Sequence, residues 1–141
     1  MTVSFHSKIF ADYLNLYIII NYFLYVYYLL PFRVSYNIII NAIQYCPEGQ
    51  ITIKLCKNQG GELEFSVKDE GVGIPKEELS DIFGVFVVSS KTKTPAGGRG
   101  IGLALCKKVI KAHNGEIWAK LNPDKGTTFA FTLPLNNKKD S

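Results

Sequence analysis

The sequence predicts an α/β (α+β) two-layer sandwich in which helices cover one face of a mixed β-sheet. Two alternating apolar stretches, 51–55 and 63–67, flank the turn Asn58–Gly61, which is the pattern of a β-hairpin. Two other segments, 34–45 and about 100–114, carry apolar residues at helical spacing,. Because helices and strands mix without strict βαβ alternation, we expect the helices on one side of the sheet.

The remaining elements follow from local signals. The first helix ends before Pro47 and Gly49,, and Pro75 suits the first turn of a short helix from Lys76 to Phe83,. Residues 87–98 predict a mobile loop, since they are rich in Ser, Thr, Lys, Gly and Pro,.

The last three elements form a helix and two strands. Gly115 stands where the end of the second helix favours a left-handed residue,. Strands are predicted over Glu116–Leu121 and Thr127–Leu133, with a turn over 122–126 between them,.

Length, charge and cysteine content limit the function. The chain has 141 residues, enough for one domain or one domain plus an appendage, and a net charge of +4,. This charge is too small for the dense basic stripe of a nucleic-acid-binding protein, so no nucleic-acid partner is expected. Cys46, Cys56 and Cys106 are too widely spaced for the pattern of a disulfide framework or a zinc site,.

The composition changes abruptly near residue 46. All eight tyrosines precede this point, all twelve glycines follow it, and only three charged residues lie before it. Because the regular pattern of elements begins at residue 34, we divide the chain into an apolar, Tyr-rich segment over 1–33, a regular domain over 34–135 and a polar tail over 136–141.

Residues 13–32 carry no charge and are long enough to span a bilayer,. Six tyrosines spread along this run, and Asn15 and Asn21 are unfavourable in hydrocarbon,. Three interpretations stay open. The run is a membrane helix that attaches a cytoplasmic domain, a helix facing the core or a partner, or a remnant of a longer gene that was not selected for folding.

A Gly-rich loop runs from Asp69 to Pro75. Its glycines allow close approach of the backbone, and a buried aspartate there can accept a hydrogen bond from an amino group such as adenine N6. A plain turn also fits, because Asp is common in turns.

A second glycine run, over 97–103, leads into the second helix. The exposed N–H groups and the dipole of a helix N-terminus attract phosphate. No Gly-Lys-Ser/Thr follows, and Leu103 stands where a dinucleotide fingerprint has its third glycine,. Close packing of the helix on the sheet is the alternative explanation.

A third motif lies on the first helix. Asn37 and Asn41 are four residues apart and share a helix face, which Gln44 and Tyr45 extend,. An amide oxygen suits Mg²⁺, which also keeps waters and nucleotide phosphates as ligands. Local hydrogen bonding of the two asparagines is the alternative explanation.

In their order and spacing, these motifs resemble the ATP-binding catalytic domain of sensor histidine kinases, in the wider family of gyrase, heat-shock protein 90 and the MutL mismatch-repair ATPases. The resemblance covers about residues 34–135 and implies the Bergerat-type ATP-binding fold. Four family boxes have counterparts, which are Asn37–Tyr45 (N box), Asp69–Gly73 (G1 box), Ile82–Phe86 (F box) and Gly98–Leu103 (G2 box).

The resemblance implies a site for ATP and Mg²⁺. Asn41 would coordinate the metal, and Asp69 would bind the adenine amino group with help from Thr127. The loop over 87–98 would be the ATP lid, from which Lys91 or Lys93 would reach the γ-phosphate. The full set of implied ATP-binding residues is Asn37, Asn41, Gln44, Tyr45, Asp69, Gly71, Gly73, Ile74, Phe83, Lys91, Lys93, Gly98, Arg99, Gly100, Ile101, Gly102, Leu103 and Thr127.

Two departures from the family pattern refine this expectation. Gln44 replaces the usual Lys or Arg and weakens one phosphate contact. Asn37 stands where ATP-hydrolysing relatives carry a glutamate as general base. A neutral amide cannot take a proton, so hydrolysis should be slow and transfer to a bound acceptor favoured.

The implied enzyme is a protein histidine kinase whose partners are a His-bearing dimerisation domain and a response regulator. The chain's own histidines, His6 and His113, lack the phosphoacceptor pattern, so a truncated kinase that cannot act alone is expected. Two alternatives stay open. One is a stand-alone serine kinase of the anti-sigma type, which the Phe83 and Phe86 box disfavours, and the other is a non-catalytic ATP-binding fragment.

Overall fold

A computed structural model describes residues 1–6, 30–85, 87 and 101–135. Helices and strands alternate irregularly along these residues. In chain order they are strand β1 (Thr2–His6), helix α1 (Leu30–Tyr45), strands β2 (Gln50–Lys57) and β3 (Leu63–Asp69), a 3₁₀ turn (Lys76–Glu78), helix α2 (Gly102–Ala112), and strands β4 (Glu116–Leu121) and β5 (Thr127–Leu133).

The described strands form one sheet in the order β1-β2-β3-β5-β4, and every neighbouring pair is antiparallel. The prediction of a mixed sheet was wrong in this respect. Strands β3 and β4 do run in the same direction across the α2 connection. However, β4 pairs with β5, its hairpin partner, and β5 lies between β3 and β4, so these two parallel strands never become neighbours.

The two α-helices of the described residues pack on one face of this sheet, which confirms the predicted α+β sandwich. Ile38 of α1 and Ile110 of α2 are fully buried, in one cluster with Ile51, Val67 and Phe129 of the sheet. Alternate residues of a strand point to the same face, so Val67 and its cross-strand neighbour Phe129 face the helices together.

Helix α1 begins at Leu30, four residues before the predicted start. Pro31 lies in its first turn, where a missing N–H leaves no helical hydrogen bond unmade. Thus the end of the uncharged run 13–32 belongs to a helix of the domain, and residues 13–29 lie outside the described part. Among the described residues, no helix has both the length and the apolar character needed to cross a membrane.

The first residues of the chain also join the sheet. Thr2–His6 pair with Gln50–Lys54 as the edge strand beside β2. The Met1 ammonium group donates a hydrogen bond to the Leu55 carbonyl oxygen at 2.8 Å. The local sequence pattern does not predict this strand, because its five residues lie in the segment 1–33, outside the regular pattern of the domain.

Two local predictions need correction. Residues 76–83 form a 3₁₀ turn and further turns instead of a short α-helix, because the Glu78 N–H bonds to the Pro75 carbonyl three residues back. At the end of α2, Asn114 has the left-handed conformation with φ 58°. Gly115 is required for another reason, since a Cβ there would overlap the Thr132 carbonyl oxygen.

Candidate functional site

A pocket that is open to solvent lies beside α1, the end of β3, the start of β5 and the first turn of α2. Its lining includes polar side chains and an apolar wall. The lining residues are Asn41, Tyr45, Asp69, Gly73, Ile74, Ile82, Leu103, Thr127 and Phe129. Seven of these nine belong to the ATP-binding set predicted from the sequence, and they come from segments far apart in the chain.

Asp69 is the buried charged group of this pocket, with 5% of its surface exposed. Its Oδ1 accepts hydrogen bonds from the Gly71 N–H at 2.8 Å and the Thr127 N–H at 3.3 Å. No described residue donates to Oδ2. Burial raises the pKa of the Asp69 carboxyl, and the two backbone hydrogen bonds offset part of that rise. Within the described residues, the pocket therefore holds a carboxylate oxygen without the donor that a buried acceptor normally has,.

Two glycines let the backbone close around Asp69. A Cβ on Gly71 would overlap the Tyr45 carbonyl oxygen, and one on Gly126 would overlap the Asp69 carbonyl oxygen. Gly126 also has φ +81°, which L-residues with side chains rarely adopt. The Val72 N–H donates to the Tyr45 carbonyl at 3.2 Å and joins this loop to the end of α1.

Asn41 and Asn37 have different surroundings although they share a helix. Asn41 lines the pocket, and its side chain has no hydrogen-bond partner among the described residues. Asn37 does not line the pocket and donates from Nδ2 to Cys106 Sγ at 3.6 Å. Helix α2 packs against α1 and reaches Asn37. Gln44, the other predicted amide, is exposed and also outside the pocket lining.

The apolar wall contains two residues outside the predicted ATP-binding set, Ile82 and Phe129, although Ile82 was placed in the F box. Phe83, which was predicted to bind the nucleotide, is buried behind this wall and packs edge-to-face on Phe129 with ring centroids 6.1 Å apart. The period of a strand could have identified Phe129, because residues two apart face the same way and Thr127 was already assigned to the site.

The predicted phosphate-binding residues are only partly described. Leu103 lines the pocket from the first turn of α2, while Ile101 is exposed and Gly102 has open space where a Cβ would lie. Other predicted residues lie outside the described part of the chain, and these are Lys91, Lys93, Gly98, Arg99 and Gly100.

The raised pKa of Asp69 predicts how stability changes with pH. Above the ordinary aspartate pKa of about 4, the folded chain retains a proton that the unfolded chain has lost. The free energy of unfolding of the ligand-free protein should therefore fall as pH rises from the ordinary pKa of aspartate to the raised pKa of Asp69 in the folded chain. Above the folded-state pKa, the effect of Asp69 on stability no longer changes with pH.

Denaturant unfolding at a series of pH values checks this expectation against Asp69→Asn, which lacks the titrating group. Wild type should lose stability relative to the variant as pH rises through the window. The expectation would be contradicted if the difference in the free energy of unfolding between wild type and Asp69→Asn stayed constant across the window. It would also be contradicted if wild type gained stability relative to the variant as pH rises.

Comparison with known protein families identifies the class of this domain. Residues 28–137 match the profile described as histidine kinase-, DNA gyrase B- and HSP90-like ATPase. The chain therefore belongs to this ATPase family, and the predicted family resemblance is confirmed. Within the family it corresponds to the catalytic, ATP-binding domain of two-component sensor histidine kinases, as its individual relatives show.

Curated relatives include the sensor histidine kinase WalK of Bacillus subtilis, 45% identical over 107 residues that make up 74% of this chain and 18% of WalK. The aerobic respiration control sensor protein ArcB of Escherichia coli is 37% identical over 103 residues, covering 72% of this chain and 13% of ArcB. The chain thus spans less than a fifth of the length of either kinase.

Solved structures show the same fold. A mycobacterial sensor histidine kinase, MprB, superposes with a TM-score of 0.67 at 30% identity, covering 72% of this chain and 70% of that one. The catalytic domain of the histidine kinase ThkA superposes with a TM-score of 0.61 at 30% identity, covering 72% and 65%.

Proposed function

We propose that this chain binds Mg²⁺–ATP in the Asp69 pocket and supplies the γ-phosphoryl group to a histidine on a separate helical dimerisation domain. A response regulator would then receive the phosphoryl group. Since ATP is the substrate, the proposed location of the domain is the cytoplasm.

The observation that carries the proposal is the state of Asp69. A carboxylate with 5% exposure keeps Oδ2 without a donor in the described structure, although Oδ1 accepts two backbone N–H groups. An exocyclic amino group of a planar base would supply the missing donor. The apolar side chains of Ile74, Ile82 and Phe129 line the same pocket and suit the faces of a purine ring,.

The donors on this chain also fit a magnesium ion that is shared with a nucleotide. No group of three or more His, Cys, Asp and Glu side chains suited to a metal occurs among the described residues. Asn41 offers one amide oxygen in the pocket. Mg²⁺ commonly takes few protein ligands and completes its shell with waters and phosphates. Bound there, it would neutralise phosphate charge during transfer.

The surroundings of Asn37 favour transfer over hydrolysis. Its amide has no basic atom that could take a proton from water, and it donates to Cys106 Sγ in the α1–α2 contact,. His113 does not suit the role of acceptor either. Its Nδ1 lies 2.8 Å from the Val109 carbonyl oxygen at the end of α2, so the ring is held in a local hydrogen bond.

A phosphotransfer experiment tests the proposal. The full chain is incubated with labelled ATP and Mg²⁺, alone and with the purified dimerisation domain of a related kinase such as WalK. We expect no phosphohistidine on the chain alone and acid-labile, base-stable label on the added domain.

Other outcomes separate the alternatives. Label on serine of an added anti-sigma antagonist protein would support the serine kinase. ATP binding without transfer to any His-bearing domain would support a non-catalytic module, and stable phosphohistidine on the chain alone would contradict the need for a separate acceptor.

A further inference from the structure

We propose that Asn122 is a positioning residue that orients Asp69 from behind and thereby sets the preference for a base with an amino group. This inference rests on the proposed function, because it concerns how the same pocket selects its nucleotide. Asn122 does not line the pocket, so it would act only through the backbone and side chain of Asp69.

The side chain of Asn122 makes three hydrogen bonds. Its Nδ2 donates to the Asp69 carbonyl oxygen at 2.8 Å and to the Lys125 carbonyl oxygen at 2.9 Å. Its Oδ1 accepts from Thr128 Oγ1 at 2.6 Å. The backbone N–H of Asn122 donates to Gly126 O at 3.1 Å as well. One amide thus connects both sides of the β4–β5 turn to the end of β3.

This connection determines where the next residues of the turn lie. Gly126 sits so close to the Asp69 carbonyl that no side chain fits between them. The following residue, Thr127, directs its N–H to Asp69 Oδ1 at 3.3 Å. Asn122 therefore holds the Asp69 main chain and Thr127 holds its carboxylate, and both contacts depend on the position of the same turn.

Few residues other than asparagine can make this set of bonds. Aspartate has the same length but cannot donate to two carbonyl oxygens when ionised, and serine has a single donor. If the amide is removed, the turn can move away from Asp69. The Thr127 N–H then moves with it, and Asp69 Oδ2 loses the orientation that suits an amino donor.

The ratio of affinities for ATP and inosine triphosphate reports this orientation. The two nucleotides share their phosphates and ribose, but inosine has a carbonyl oxygen where adenine has its amino group. Asn122→Ala should lower the ATP preference about tenfold, the factor that corresponds to roughly one hydrogen bond. General destabilisation would weaken both nucleotides in the same proportion and leave the ratio unchanged.

Asn58→Ala is the matched control. Asn58 organises the β2–β3 turn, donating to Glu62 Oε2 at 3.1 Å and accepting from the Glu62 N–H at 2.9 Å. It lies outside the pocket lining, so its replacement should leave the ratio at the wild-type value. Thr128→Val serves as a second variant, because it removes only the donor to Asn122 Oδ1 and should give a smaller decrease.

Calorimetric titration of the full chain with each nucleotide in the presence of Mg²⁺ makes the measurement. A lower ratio in Asn122→Ala and in Thr128→Val, with Asn58→Ala unchanged, is the expected result. If wild type prefers ATP and both variants keep that preference, the inference is overturned while the proposed function stands. If wild type binds neither nucleotide, the proposed function is overturned and this inference with it.

Discussion

Replacing Asp69 with asparagine should reduce the affinity for ATP about 100-fold, since a hydrogen bond to a charged acceptor contributes up to about 3 kcal/mol. The amide places an NH₂ group where the carboxylate has Oδ2, and an NH₂ group cannot accept from the base. The fold should persist, because the remaining Oδ1 can still accept from the Gly71 and Thr127 N–H groups. Titration calorimetry with and without Mg²⁺ measures the affinity.

Glu70→Gln is the control for this change, because it converts a carboxylate to an amide one residue further along the chain. Glu70 is exposed, bonds to the Gln50 N–H at 3.1 Å and does not line the pocket. Its replacement should leave ATP affinity unchanged. A folded Asp69→Asn protein that binds ATP as tightly as wild type would remove Asp69 from the proposed site.

Gly126→Ala should lower the free energy of unfolding by about 3 kcal/mol or more, the sum of a strained backbone and an overlap that the fold must relieve. The residue has φ +81°, and its Cβ would meet the Asp69 carbonyl group. To relieve the overlap the β4–β5 turn must move away from β3, so ATP binding should weaken too. Equilibrium unfolding in denaturant gives the first value and titration the second.

Gly61→Ala separates the two causes. Gly61 has a similar φ of +83° in the β2–β3 turn, but the nearest atom to its added Cβ is Lys57 Cε at 3.7 Å. Only backbone strain applies there, so we expect a loss of about 1 kcal/mol and normal ATP binding. Equal losses in the two variants would show that the contact between Gly126 and Asp69 does not contribute.

Much of the fold could be predicted because its elements have strong local patterns. Strands β4 and β5 were predicted with the bounds that the structure shows, since polar turn residues flank each one. The start of α1 at Leu30 was not predicted, because no capping residue marks it. Strand β1 has only five residues, and its pairing with β2 depends on a partner more than forty residues away.

In the candidate site, too, local sequence patterns predicted some features, while others depend on distant parts of the chain. Asp69, Asn41 and Thr127 were predicted to share one site, and all three line the same pocket in the structure, while their role in binding ATP stays a prediction. Asn37 was grouped with Asn41 because four residues make one helical turn. Its contact with Cys106 could not be read from that spacing, since it depends on where α2 crosses α1.

The sequence by itself determined the family, the order of the motifs and the identity of the buried carboxylate. Each of these can be recognised from the residue types and the spacing within a short segment of the chain. Only the tertiary structure decided which amide faces the pocket, that the sheet is antiparallel in its described part, and that Asn122 bonds to Asp69 across 53 residues of chain. These features depend on how distant segments approach one another in the packed fold, and the local residue pattern does not contain that information.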